Sequence, residues 1–328
     1  MATYKGIKGV KVVTKATDPT ASEATGTVWY NSTGDALKYA TQGTGAWASG
    51  TAVPTASHSS GGAGTVTAYL IWGGSIAPGV TTNSWSYDGT SWAATPALAN
   101  AQSGTAGCGI QTAAMGCGGY NGGYNNRTEE YNGTAWANVN ADSNKPAVGY
   151  IGLTGIQTAA LSVAGYGSPP GQSNKCSEYD GTSWAAANVY PAAMSGVFAI
   201  GTQTAAVAVG GSPPTTANGF DYDGTSWTAA PAINTARKGG ANGGISTAGI
   251  IAGGIAPPEY GNTEIYNGTG WTEVGDLGDP RTQPARGYSN VAGATTSFIC
   301  ATGESPGKTT AVEEWADPVY TIKTVTVS

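Results

Sequence analysis

The feature that most narrows what this chain can become is a hexapeptide written five times. Tyr-Asp-Gly-Thr-Ser-Trp occurs verbatim at Tyr87–Trp92, Tyr179–Trp184 and Tyr222–Trp227, with close copies at Tyr131–Trp136 (YNGTAW) and Tyr266–Trp271 (YNGTGW). Its Tyr falls at 87, 131, 179, 222 and 266, giving intervals of 44, 48, 43 and 44 residues. Asp-Gly and Asn-Gly accept the positive φ angles of a tight hairpin, so each copy reads as a corner between two strands. A period of about 40–50 residues points to a repeated unit of four strands.

The interior of each period agrees. GIQTAAMGCGG (109–119), GIQTAALSVAG (155–165), GTQTAAVAVGG (201–211) and GISTAGIIAGG (244–254) are copies of one segment. GTVTAYLIWGG (64–74) and ATTSFICATG (294–303) are more divergent ones. Each period parses as strand a, a Gln-Thr-type turn, strand b ending at Gly-Gly, a variable loop, strand c ending at the Tyr, and strand d opening on the Trp. A two-residue c–d loop pairs the Tyr with the Thr; a four-residue loop pairs Tyr and Trp directly. In either register both rings share one face of the sheet. They fill the widening gap between neighbouring sheets, while the Gly and Ala of strands a and b suit the crowded centre.

Composition supports an all-β chain. Gly numbers 52 of 328 residues and only 10% are charged, but 10 Trp and 17 Tyr supply the apolar surface that a disordered chain lacks. The long-helix formers Leu, Glu, Lys and Arg are scarce. Net charge is -6 with no Lys/Arg cluster, which argues against nucleic-acid binding. No apolar run is long enough for a membrane-spanning helix, so no membrane insertion is expected. The N-terminal MATYKGIKGVKVVTKATDPT lacks the apolar core of a signal peptide, which points to a cytosolic product or another exit route.

The Gly-Gly pair, the Tyr and the following Trp resemble the kelch-repeat family over Thr51–Trp315. The resemblance implies a β-propeller, and six Gly-Gly-type units imply six blades. The five-residue Tyr–Trp separation is shorter than is usual for kelch repeats, so the c–d turn is tighter. Either the strand near Trp47 or Val319–Val327 would complete the last blade. Residues 1–50 break the period. GTVWYNSTGDALKYATQGTGAW (26–47) contains a hairpin, TVWYN then ALKYA, and resembles a short module at the start of tail-fibre and other virion structural proteins of bacteriophages, notably those infecting marine cyanobacteria. The expected organisation is an attachment arm over 1–50 and a six-bladed propeller over 51–328. The resemblance implies a virion component assembled in the host cytoplasm, a homo-oligomer bound to other virion proteins through residues 1–50. Aromatic and amide side chains in the variable loops suit a host-surface glycan or a protein surface equally as partner.

Catalysis finds little support. A single His, His58, removes the copper chemistry of galactose oxidase-like propellers. YDGTSW resembles the sialidase Asp-box only superficially, since a residue separates Asp from Gly there, and the Arg residues stand alone at 127, 237, 281 and 286. No catalytic residue, cofactor or metal site is expected. His58 reads as a loop or strand-a polar residue. Glu129-Glu130, Glu313-Glu314 and Asp276/Asp279 offer oxygen ligands without EF-hand spacing. Cys108 and Cys117 are expected opposite each other across strands a and b, as buried apolar thiols rather than a disulfide. Alternatives to the virion reading are a cellular kelch-type interaction scaffold and, more weakly, a glycan-active enzyme.

Alternating strands put the short a–b and c–d turns on one face and the variable b–c and d–a loops on the other. Recognition concentrates on loops held by a rigid scaffold. The candidate partner-binding residues are therefore Tyr120, Tyr124, Asn125, Asn126, Arg127, Tyr166 and Tyr260.

Overall fold

The computed structural model describes residues 12–19, 27–42, 45–167, 171–287, 292–317 and 320–325. Val319–Val327, weighed above as a closing strand, lies partly outside them. The described residues form seven sheets and one 3₁₀ turn, Ala292–Thr295, with no α-helix. The chain divides into two compact units, Trp47–Ala316 and a smaller one combining Met1–Ala46 with Asp317–Ser328. The boundary thus lies close to the expected one, but the last residues of the expected 51–328 span go with the smaller unit.

In the smaller unit the expected hairpin pairs Val28–Asn31 with Ala36–Gln42. Val13–Lys15 adds in parallel on one side and Tyr320–Thr324 antiparallel on the other. Asp18 ties this sheet together, accepting from Lys38 Nζ and Asn31 Nδ2 at 2.6 Å each and from the buried Trp29 Nε1 at 3.2 Å. Those bonds, the one from Lys38 first, hold its carboxyl below the usual range.

In the larger unit each period forms one antiparallel sheet in chain order. The first comprises Gly61–Thr65, Ala68–Trp72, Ser84–Tyr87 and Trp92–Thr95. The second comprises Ala106–Ile110, Ala113–Tyr120, Tyr124–Tyr131 and Trp136–Val139. The third has Gly152–Ile156, Ala159–Gly167, Gly171–Tyr179 and Trp184–Ala187, with Val148–Gly149 added beside its b strand. The fourth has Phe198–Thr202, Ala205–Val209, Gly219–Tyr222 and Trp227–Ala230. The fifth has Ala241–Ile245, Ala248–Ala252, Thr263–Tyr266 and Trp271–Glu273. The a strands of these five lie side by side in order, and Ser297–Ala301 of the sixth sheet touches Gly61–Thr65 of the first.

The sixth sheet settles which terminus completes it. Its strands Ser297–Ala301 and Val312–Ala316 are joined by Ala46–Ser49, from the other end of the sequence. Trp47 occupies the place that Trp92 or Trp227 holds in other sheets. Its indole N–H donates to Thr263 Oγ1 at 2.9 Å and Gly275 O at 3.0 Å, both on the preceding sheet, and its ring lies 5.7 Å from that of Trp315.

The hexapeptides are corners, with the four-residue loop. Tyr pairs directly with Trp in all five copies. Their rings lie 4.7–5.2 Å apart. The Asp or Asn orders each turn: Asp88 Oδ1 accepts the backbone N–H of Thr90 at 2.8 Å and of Ser91 at 2.7 Å. The following Gly sits at φ +89 to +94 in all five copies. The Ser91 N–H is the main cause holding the Asp88 carboxyl well below the usual range, and Ser183 and Ser226 act likewise on Asp180 and Asp223.

A carboxyl depressed in the folded chain contributes stability above its unfolded pKa of about 3.9 and loses it as pH falls toward the folded value. Asn132 Oδ1 accepts the same pair of N–H groups at 2.9 Å each, so Asn serves the turn without titrating. The triple variant Asp88→Asn, Asp180→Asn, Asp223→Asn should match the natural chain at pH 6. It should then lose less of its thermal midpoint between pH 4 and pH 2. Equal loss in both proteins would acquit these turns.

Neighbouring sheets are joined by two side-chain devices. The Gln read from sequence as a turn residue is a clamp. Gln111 Nε2 donates to Tyr69 O at 3.0 Å and Tyr87 O at 2.8 Å on the preceding sheet, and Gln157 and Gln203 repeat this one sheet further on each time. The Tyr hydroxyls are the second device. Tyr87, Tyr179 and Tyr222 donate to Glu314, Glu130 and Glu178 of the preceding sheet at 2.6–2.8 Å. Where that Glu is replaced by Ser86 or Asp221, Tyr131 and Tyr266 turn instead to their own Gly133 O and Gly268 O.

The acidic pairs are thereby accounted for. Glu129 accepts from Ala99 N–H and Asn100 Nδ2, and Glu313 from Gly278 N–H and Arg281. The expected Cys108–Cys117 alignment is corrected: Cys108 pairs with Met115 and Cys117 with Ala106, because the register is offset by two residues. All four thiols are free and buried. Burial pushes Cys117 up to about 12 and Cys300 to about 11.

Candidate functional site: the axial pocket

One backbone position recurs where the chain enters each sheet of the larger unit. Ser59, Gly104, Tyr150, Gly196, Gly239 and Gln283 all have positive φ, between +53 and +70. Their amides form a closed circuit. Gly104 N–H donates to Ser59 O, Tyr150 to Gly104, Gly196 to Tyr150, Gly239 to Gly196, Gln283 to Gly239 and Ser59 to Gln283, all at 2.7–2.9 Å. The circuit marks the axis of the ring. It also explains the glycines, since L side chains pay on the order of 1 kcal/mol or more for such φ values.

Half of the circuit keeps a side chain despite that cost. Tyr150 and Gln283 border a pocket of about 320 Å³, also lined by Tyr166, Gln172, Ser195, Lys238 and Arg286. Ser59 is fully buried; its hydroxyl donates to Gln283 Oε1 at 2.5 Å and meets His58 Nδ1 at 2.9 Å. A hydroxyl so enclosed is placed to hold Gln283, not to attack a substrate. Burial lowers the His58 pKa.

Arg286 is 3% exposed and its Nη1 has no hydrogen-bond partner. Burial pulls its pKa down to about 10. Its backbone carries it across the axis: the Arg286 carbonyl accepts Gly62 N–H at 2.9 Å and Gly107 N–H at 3.0 Å, and its N–H donates to Ser60 O at 3.0 Å. Tyr69 Oη donates to the next carbonyl, Gly287 O, at 2.7 Å. The other buried arginines are spent on structure, Arg237 on Glu264 and Arg281 on Glu313.

The residues singled out from sequence separate into three groups. Tyr120, Tyr124 and Tyr166 come together, with ring centroids 5.2 Å apart for the first pair and 5.4 Å for the second. Tyr166 also lines the pocket, and the rings of Tyr124 and Tyr120 extend outward from it in turn. Burial, then the neighbouring hydroxyls of Tyr150, Tyr166 and Tyr120, push Tyr124 up. Asn125, Asn126 and Arg127 lie on the strand Tyr124–Tyr131. Asn125 Oδ1 accepts Arg127 N–H at 3.1 Å, and Asn126 Nδ2 donates to Asp142 O at 3.1 Å. Tyr260 stands apart on the fifth sheet, its N–H donating to Gly254 O at 2.8 Å, and no ring contact among the described residues joins it to the cluster.

Sequence reasoning missed Tyr150, Lys238, Gln283 and Arg286. A signal was available. Aligned on the repeat, 104, 196 and 239 are Gly, so a Tyr at 150 and a Gln at 283 break a rule without local reason.

A ring of antiparallel sheets around a shared axis, five of them with a repeated inner strand, defines the β-propeller-like class of all-β folds. A solved structure titled "Structure of YjhT" superposes with a TM-score of 0.63 at 15% identity, over 84% of this chain and 99% of that one. That likeness is one of fold. No protein-family model and no curated protein matches the chain.

Proposed function

We propose that this chain is a non-enzymatic bacteriophage virion protein, a tail-fibre or appendage component, whose six-bladed propeller binds a host-surface glycan or protein. The observation that carries the binding role is the axial pocket on the face of variable loops, flanked by Tyr120, Tyr124 and Tyr166. Six sheets, each contributing one member to the hydrogen-bonded circuit, support the blade count. The groups gathered there are phenols, amides, the hydroxyl residues Ser195 and Thr282, and two cations, which bind and orient ligands. The virion assignment rests on the resemblance of 26–47 to phage structural proteins, and the smaller unit that holds this segment suits an arm docking to other virion proteins.

The test has two readouts. Mass spectrometry of purified phage particles should detect the chain, and the purified protein should compete with those particles for adsorption to host cells. The double variant Tyr124→Ala, Tyr166→Ala should need at least about tenfold more protein for equal competition, at an unchanged thermal midpoint. Absence from particles would overturn the virion assignment. Undiminished competition by the folded variant would overturn the choice of face.

A further inference from the structure

We infer that the axial pocket is a carboxylate site, in which Arg286 holds the acid group of a small organic acid. The first support is the cost of leaving this guanidinium unpaired. An arginine stays charged in proteins, and a buried charge without a partner is unfavourable by several kcal/mol unless something compensates it. Arg237 and Arg281 show what the chain does when it buries an arginine for stability: each lies in a connection and receives a Glu from a strand, Glu264 or Glu313. At Arg286, Nη1 has none among the described residues.

The second support is the lining. Lys238 adds a second positive group, and no Asp or Glu lines the pocket, in a chain whose net charge is -6. An anion therefore finds two cations and no repelling carboxylate. Gln283 and Tyr150 are held at positive φ beside it, where the corresponding glycines would avoid the strain. An amide and a phenol kept at that cost fit the polar and flat parts of a ligand.

The third support selects the anion. A phosphate needs several donors around its oxygens, and backbone N–H groups usually supply them. Here the backbone N–H groups of Gly196, Gly239 and Gln283 are all used in the circuit. What remains is the planar guanidinium, whose fork matches the two oxygens of a carboxylate. The volume, about 320 Å³, is that of a small-molecule pocket rather than a groove for a polypeptide. This deepens the recognition reading but rests on the pocket alone. Phage adsorption tests the face and the virion, and the following experiment tests Arg286.

The full chain is unfolded thermally in 0.2 M potassium acetate, chloride or phosphate at matched ionic strength and pH. Acetate should raise the midpoint over chloride by about 1–3 °C, the size expected for a weak ligand binding only the folded state. Arg286→Met should abolish that difference while unfolding in chloride no earlier than the natural chain. Arg286→Lys, which keeps the charge without the fork, should fold and show less than half of the acetate shift; it decides the question should Arg286→Met fail to fold. The assignment is overturned if the natural chain shows no acetate shift. It is overturned equally if either variant keeps the whole shift, or if phosphate produces the larger Arg286-dependent effect.

Discussion

Glu264→Ala should destabilise the chain by about 3–5 kcal/mol, read as a fall in the urea midpoint, because it leaves Arg237 charged and enclosed. Both side chains are fully buried, and the guanidinium Nη1 donates to Glu264 Oε1. The same carboxylate accepts Asn234 N–H at 2.7 Å and Asn234 Nδ2 at 2.8 Å, which fixes the loop entering the fifth sheet. Removing it therefore strands a charge and frees a connection. The remaining acceptors of Arg237, Gly253 O and Thr235 O at 3.0 Å and Asn262 O at 3.5 Å, are neutral carbonyls and cannot replace a carboxylate. The double variant Arg237→Met, Glu264→Leu should recover more than half of the loss, since apolar groups of similar volume often replace a buried pair at little cost. If Glu264→Ala alone costs under about 1 kcal/mol, water reaches the pair and the ion pair is not a keystone.

Gly287→Ala should be worse still, at about 4 kcal/mol or more, combining backbone strain with overpacking. The residue has φ +123, and a Cβ placed there would stand 2.1 Å from Gly62 O and 2.3 Å from Gly107 O. Both obstacles are backbone, so no rotamer change relieves them. The obstructed carbonyls belong to a strands of the first and second sheets, so the damage falls at the axis. Gly270→Ala is the matched control. It has nothing within 4 Å of its added Cβ, and the corresponding residue is Ala135 in the second sheet. Its expected effect is within about 0.5 kcal/mol. Comparable losses for the two variants would mean that the axis is not closed by Gly287.

Much of the fold was legible because its signals are local. Asp-Gly and Asn-Gly determine a corner through the φ preference of one Gly and the reach of one side chain to the amides two and three residues on. The alternation of a strand then places Tyr and Trp on one face whichever loop length holds. The chosen loop, four residues, depended on the Asp side chain capping the turn, a contact the sequence permits without requiring. Gln111, Gln157 and Gln203 were visible as repeated turn residues, but their acceptors lie on the preceding sheet, 24 or more positions away. The Cys108–Cys117 alignment failed for a related reason. Pattern places both thiols on paired strands, whereas the offset of two is set by where the a–b turn begins.

The candidate site divided the same way. Tyr120, Tyr124 and Tyr166 were singled out because variable loops between repeated strands advertise themselves, and the fold brings their three rings together. Asn125 and Asn126 look like contact residues in sequence; the fold gives Asn125 Oδ1 the Arg127 N–H and ties Asn126 Nδ2 to Asp142 O. Arg286 looked like one more scattered arginine.

The repeat by itself determined an all-β chain of similar sheets with aromatic corners, because each corner is written in six consecutive residues that need no distant partner. Only the tertiary structure decided that Ala46–Ser49 completes the sixth sheet, that the C-terminal strand Tyr320–Thr324 returns to the N-terminal hairpin, and that Arg286 ends unpaired at the axis. Those outcomes depend on segments far apart in the sequence that only the fold brings together. Closure is a property of all the sheets at once, and no single stretch of sequence encodes it.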